Sequence, residues 1–152
     1  MVPFTPPYAA MWNIQDLCEY LREEEVVHRA DLLASVVEIP TQLDGHAMLI
    51  RWEWHRPLVQ IIQVLAVDIQ ADRLALVDQA LARLNHAAPI TGYALDVERR
   101  YAYFRLTIER DDRHCITVGQ LNRALRSALA AARTGHAVVA NLVGEVAEVR
   151  AA

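Results

Sequence analysis

The stretch LVQIIQVLAV, Leu58 to Val67, constrains this chain more than any other, because only Gln60 and Gln63 interrupt its apolar side chains. An apolar run of this length with no helical spacing reads as a strand covered on both faces, near the middle of a sheet. Its neighbours must then be strands too. On its N-terminal side Met48, Ile50, Trp52 and Trp54 alternate with Leu49, Arg51, Glu53 and His55, the period-two pattern of a half-buried strand. Arg56-Pro57 turns the chain between the two. Further upstream LASVVEI, residues 33–39, reads as another strand closed by Pro40, with a turn at Leu43-Asp44-Gly45. In this register the two tryptophans belong to one core stripe with Met48 and Ile50.

The period changes from about Ala71 to Asn85, where Leu74, Val77, Leu81 and Leu84 share one helical stripe and Asp72 suits the positive N-terminal end. After Pro89 alternation returns. Tyr93, Leu95 and Val97 form one strand, and Ala102, Phe104, Leu106 and Ile108 face the core from the next, with Tyr101, Tyr103, Arg105 and Thr107 opposite. Thr117-x-x-Gln120 is a capping-box sequence that opens a helix with Leu121, Leu125, Ala128, Leu129 and Ala132 inside. Gly135 either ends or kinks that helix, since Val138, Val139, Leu142 and Val143 resume the pattern. A first helix is capped by Asn13, carries Ile14, Leu17, Cys18 and Leu21 on its apolar face, and finishes in the solvated run Glu23 to Glu25. The order α-β-β-β-α-β-β-α describes an α+β fold, an antiparallel sheet with helices. No repeat or linker divides it. A single domain is expected over 12–152, preceded by a loose N-terminal arm over 1–11 with three prolines and no secretory signal pattern.

Composition narrows the function. With 54% hydrophobic and 22% charged residues the chain is globular rather than disordered. A net charge of −4 lacks the basic footprint of a nucleic-acid binder. No run is long enough to span a bilayer, so no membrane partner is expected and a cytoplasmic location is the default. All 15 cations are arginine, a coding bias that also suits protein interfaces.

Candidate chemistry is sparse. The six histidines show no metal-ligand spacing, and His114-Cys115 would diverge on an extended backbone. Cys18 lies on a buried stripe, and Asp111-Asp112 reads as a solvated turn. Phosphate-cradling and nucleophile-elbow motifs are missing, so no cofactor, metal or catalytic residue is assigned. Tyr101, Tyr103 and Arg105 are of the types enriched at interfaces, though exposed sheet aromatics are also common without function.

The order of elements and the segment ALARLNHAAPITGYALDVERRYAYFRLTI, Ala80 to Ile108, resemble the YbjN-like family of bacterial proteins, whose fold is similar to that of class I type III secretion chaperones. The matching features are a helix ending at Leu84-Asn85, strands carrying Tyr93-Ala94-Leu95-Asp96 and Tyr103-Phe104-Arg105-Leu106, and Thr117-Val118-Gly119-Gln120-Leu121 opening the last helix. The resemblance spans roughly residues 12–143. One departure is the hairpin turn, where the family often has a glycine and this chain has Glu98-Arg99-Arg100, so a longer loop is expected. Asn85 is then a helix terminator and His86 a loop residue. The resemblance implies a non-enzymatic, chaperone-like or regulatory homodimer that binds a protein or peptide client. A sheet face carrying Gln60, Ile62, Val64, Tyr101, Tyr103 and Arg105 is the expected partner surface. The rival expectation is a small-molecule sensor or enzyme using a pocket lined by Trp52 and Trp54.

Overall fold

The computed structural model describes residues 5–41, 47–89 and 91–151; the turn expected at Leu43-Asp44-Gly45 lies outside them. The first helix, α1, runs over Ile14–Glu23 with Ile14, Leu17 and Leu21 buried. Asn13 caps it, its Oδ1 accepting the Asp16 N–H at 2.8 Å. Its end is closed by two backbone bonds, Glu25 N–H to the Arg22 carbonyl and Val26 N–H to the Leu21 carbonyl. That pattern needs a left-handed residue between them, and Glu25 supplies it at φ 58°.

Strands β2 (Arg29–Asp31), β3 (Val36–Pro40), β4 (Ala47–Trp52) and β5 (Leu58–Leu65) follow as an antiparallel series. A 3-10 turn over Ala71–Arg73 leads into α2 (Leu74–Ala87), whose Val77 and Leu81 are buried. Strands β6 (Tyr93–Asp96) and β7 (Tyr101–Glu109) come next, and the six strands lie in the order β2-β3-β4-β5-β7-β6. The last helix, α3, runs over Val118–Ala151. A small second sheet joins β1 (Ala10–Met11) to β8 (Ile116–Thr117).

This is the expected α+β fold with the expected order of helices and strands, plus β2 and the β1–β8 pair. β5 does sit centrally, between β4 and β7. It is covered fully on one face only: Val59, Ile61, Gln63 and Leu65 are buried, while Leu58, Gln60, Ile62 and Val64 are half-buried. Its other face is also apolar, although no described helix packs on it. The buried face joins Met48, Ile50, Trp52, Ala102 and Phe104 from neighbouring strands against the helices.

Two expectations change. Trp52 is core at 1% exposure, but Trp54 is 61% exposed. The strand ends at Trp52 because Glu53 N–H already bonds the Leu58 carbonyl, turning the chain; Arg110 fixes that turn by donating to the Glu53 and Arg56 carbonyls at 3.0 and 2.9 Å. The strand expected over 33–39 starts at Val36, and Leu33 instead stands fully exposed in the β2–β3 turn. Within residues 5–11 the chain makes backbone bonds to the start of α3. Val118 N–H bonds the Ala9 carbonyl, Gly119 N–H bonds the Pro7 carbonyl, and Met11 is buried. Of the two alternatives left open at Gly135, the helix does not end there: α3 continues through it.

Gly135 has a packing reason. A Cβ there would lie 2.6 Å from Cε1 of Tyr93 and 3.1 Å from Cδ1 of Leu65. Ala128 and Ala132 are fully buried on the same helix, so a line of small residues lets α3 settle onto β5 and β7. The capping box forms as the sequence requires: Gln120 N–H donates to Thr117 Oγ1 and Thr117 N–H to Gln120 Oε1, at 3.1 and 2.8 Å.

Candidate partner-binding face

The described helices pack on one face of the large sheet, and none of them lies on the other. On the open face side chains meet across strands in fixed register. Leu49 stands opposite Ile62, Ile62 opposite Arg105, Val64 opposite Tyr103, Tyr103 opposite Ala94 and Tyr101 opposite Asp96. Tyr101 and Tyr103 lie two residues apart on β7, with ring centroids 5.9 Å apart and planes tilted by 54°. Both are half-buried, as are Ile62 and Val64, whereas Arg105 is exposed. Ile62, Val64, Tyr101, Tyr103 and Arg105 therefore share one contiguous patch, an apolar ladder edged by a cation, with Gln60 further along β5 on the same face. Toward β2 the same face holds an open groove of about 670 Å³, whose apolar lining includes Leu33, Val36 and Leu49 and whose charged lining includes Arg29, Glu38 and Arg51. The sequence reading missed the groove because β2 itself was missed.

The patch and the two edges of the sheet are built differently. β6 is the edge beside α2, and there Asn85 does something the sequence reading did not foresee. The helix runs past it to Ala87, and its side-chain amide turns onto the strand. Oδ1 accepts the N–H groups of Gly92 and Tyr93 at 3.1 and 2.9 Å, and Nδ2 donates to the Tyr93 carbonyl at 2.9 Å. The amide thus takes the place of a further strand at Tyr93. Asn85 is no terminator, and His86 stays in the last helical turn. The β6–β7 connection is the four-residue turn 97–100, closed by Arg99 N–H to Asp96 Oδ1 and by left-handed Arg100.

The remaining polar candidates stay apart. Cys115 is buried with its Sγ 3.5 Å from both carboxylate oxygens of Asp111. Burial first, then the Asp111 hydrogen bond and charge, push its thiol above the ordinary value, opposite to the activation a nucleophile needs. Asp111 is held below the usual carboxylate range, chiefly by the Cys115 N–H and also by the Arg113 N–H. Burial raises the Cys18 thiol as well. Trp52 and Trp54 do not line a common pocket: Trp52 is core, and Trp54 lies outside with its indole N–H on Ser35 Oγ. Among the described residues no three His, Cys, Asp or Glu side chains are placed to hold a metal ion, and no helix is long and apolar enough to cross a membrane.

Comparison with solved structures places this architecture among chaperone-like α+β folds. A chain in the HopA1–SchA chaperone–effector complex superposes with a TM-score of 0.51 at 20% identity, covering 78% of this chain and 88% of that one. YbjN from E. coli, a proposed transcription regulator, superposes with a TM-score of 0.66 at 8% identity, covering 85% of this chain and 91% of that one. At such identities the likeness is one of fold, and the fold is YbjN-like and secretion-chaperone-like. No protein-family model and no curated protein matches the sequence.

Proposed function

We propose that this chain is a non-catalytic, cytoplasmic protein-binding module, chaperone-like or regulatory, that works as a homodimer and receives an extended segment of a protein client on its open sheet face. The observation that carries the reading is the ladder of half-buried Ile62, Val64, Tyr101 and Tyr103 beside exposed Arg105, on a face that no described helix covers. Half-exposed aliphatic rows with tyrosine and arginine at their border suit a chain laid across them, because tyrosine and arginine add directional hydrogen bonds to a large contact area. The occurrence of this fold in a chaperone–effector complex supports the same reading. The Trp-pocket alternative has no comparable support, since its two tryptophans separate.

The test compares open-face variants with the unsubstituted chain in pull-downs from the native host. A client retained by the unsubstituted chain should be bound about 1–3 kcal/mol more weakly by Tyr103→Ala. The monomer should keep its melting behaviour, because Tyr103 faces away from the core. A client that binds Tyr103→Ala and Arg105→Ala at full strength would remove the open face from the reading.

A further inference from the structure

Four exposed large apolar side chains, Val27, Leu32, Leu33 and Trp54, lie at the β2 corner of the sheet. Val27 and Leu33 are 76% and 101% exposed and flank β2, with Leu32 between strand and turn and Trp54 close by on Ser35. Among the described elements no strand lies beyond β2. In the segment Val27-His28-Arg29-Ala30-Asp31-Leu32-Leu33 the immediate neighbours of Ala30 carry opposite charges and the residues three away are apolar, while His28 and Leu32 do not match. Arg29 and Asp31 stand one residue either side, and Val27 and Leu33 three residues either side. Arg29 and Asp31 also project from the same face, the open one, since their partners on β3 are Glu38 and Val36 while Ala30 pairs with buried Val37.

We propose that the occupant of the β2 edge is a second copy of this chain, its own β2 antiparallel and Ala30 opposite Ala30, so that two six-stranded sheets continue as one. About this two-fold axis Arg29 of each copy faces the partner's Asp31, and Val27 lies toward the partner's Leu33. Charge on an edge strand ordinarily blocks pairing. Here the two charges are opposite in sign and symmetric, so they block the neighbouring registers and favour one. Sliding by two residues brings Arg29 against the partner's Arg29, or Asp31 against the partner's Asp31, and like charges directly opposite are destabilising. The axis stands perpendicular to the sheet, so both open faces fall on the same side. The two grooves beside β2 then meet, and the Tyr101 and Tyr103 patches of both copies look out from one broad surface. This deepens the dimeric reading given above and rests on it. The pairing strand is short, so the dimer belongs to the weak, concentration-dependent class.

Oxidative cross-linking reads the arrangement directly. Cα atoms opposite each other on antiparallel strands are about 4.5–5.5 Å apart, within disulfide reach. Ala30→Cys should form a disulfide-linked dimer on mild oxidation at high micromolar concentration, above the background set by the unsubstituted chain with its Cys18 and Cys115. Ala94→Cys, on the β6 edge beside Asn85, should not. Adding Asp31→Arg to Ala30→Cys should slow cross-linking about tenfold, and Asp31→Asn, which keeps an acceptor for the Ala34 N–H, should fall between. Ala30→Cys that remains unlinked, or cross-linking indifferent to Asp31→Arg, overturns the proposal. A dimer linked through position 94 removes the β2 assignment and leaves the dimeric reading standing. Light scattering that finds only monomer at every concentration removes both.

Discussion

The two edges of the large sheet solve the same problem in opposite ways. At β6 the outward backbone groups of Tyr93 are taken by the Asn85 amide. The Tyr93 ring packs edge-on against Phe104 at 5.0 Å, and its hydroxyl donates to the Ala131 carbonyl at 2.6 Å. That edge is bolted to α2, β7 and α3 together. At β2 only three residues pair, all exposed, and the strand's side-chain tie to its neighbour is the Arg29–Glu38 ion pair at 2.6 Å. One edge is closed by the fold's own side chains; the other is left in water. Stability should therefore be sensitive to changes at β6, and association to changes at β2.

The largest effect should come from Tyr93→Ala, which empties the space between Phe104, Leu65 and Gly135 and frees a helix carbonyl. Truncating a buried aromatic costs about 3–5 kcal/mol, read from the urea midpoint; a loss below about 1 kcal/mol would show that the β6 edge is not bolted. Asn85→Ala comes next. It leaves two N–H groups and a carbonyl without their partner, at about 1–3 kcal/mol. It should also expose β6 enough for Ala94→Cys to begin cross-linking. On the other side Arg29→Ala should change stability by only about 0.2–1 kcal/mol, an effect that fades with added salt, as for exposed ion pairs. A larger cost would mean that β2 braces the monomer.

The smallest expected change lies away from both edges, at Asp111. Its carboxyl is held below the ordinary value by the Cys115 and Arg113 N–H groups. A depressed folded pKa contributes stability above the unfolded pKa, and that contribution is lost as pH falls through the folded one. Thermal melts below about pH 4 should show the Asp111→Asn chain losing less stability on acidification than the parent. Equal acid sensitivity would mean the loop bonds carry no linkage.

Local periodicity made much of this legible. The alternation in Met48 to Trp52 and in Tyr101 to Ile108 set the strand faces correctly, and the Thr117–Gln120 capping box and Asn13 cap formed as read. What escaped depends on partners distant in sequence. Trp54 continues the alternation on paper, but a hairpin bond from Glu53 to Leu58 ends the strand first. Arg29-Ala30-Asp31 has no apolar pattern, and is a strand only because β3 lies beside it. Asn85 looked like a helix stop because its work is done on Gly92 and Tyr93, several residues on. Gly135 looked like punctuation, while its reason is an aromatic ring from a strand more than forty residues earlier in the chain. Tyr101, Tyr103 and Arg105 of the open face follow from the alternation of β7, whereas Ile62 and Val64 sit in a run apolar on both faces and are placed there with the fold resemblance. The groove beside them was invisible without β2.

Glu25, Ser35, Arg100 and His114 all adopt left-handed backbone, φ between 54° and 64°, at positions where glycine would rest without strain. Each closes a turn: after α1, after β2, before β7 and before β8. Their conformations are therefore imposed by what the flanking elements bury, and the loops follow the core instead of directing it. Glycine at Glu25, Arg100 or His114 would relieve local strain, so the loops of this domain hold a reserve of stability that can be drawn on without touching the core.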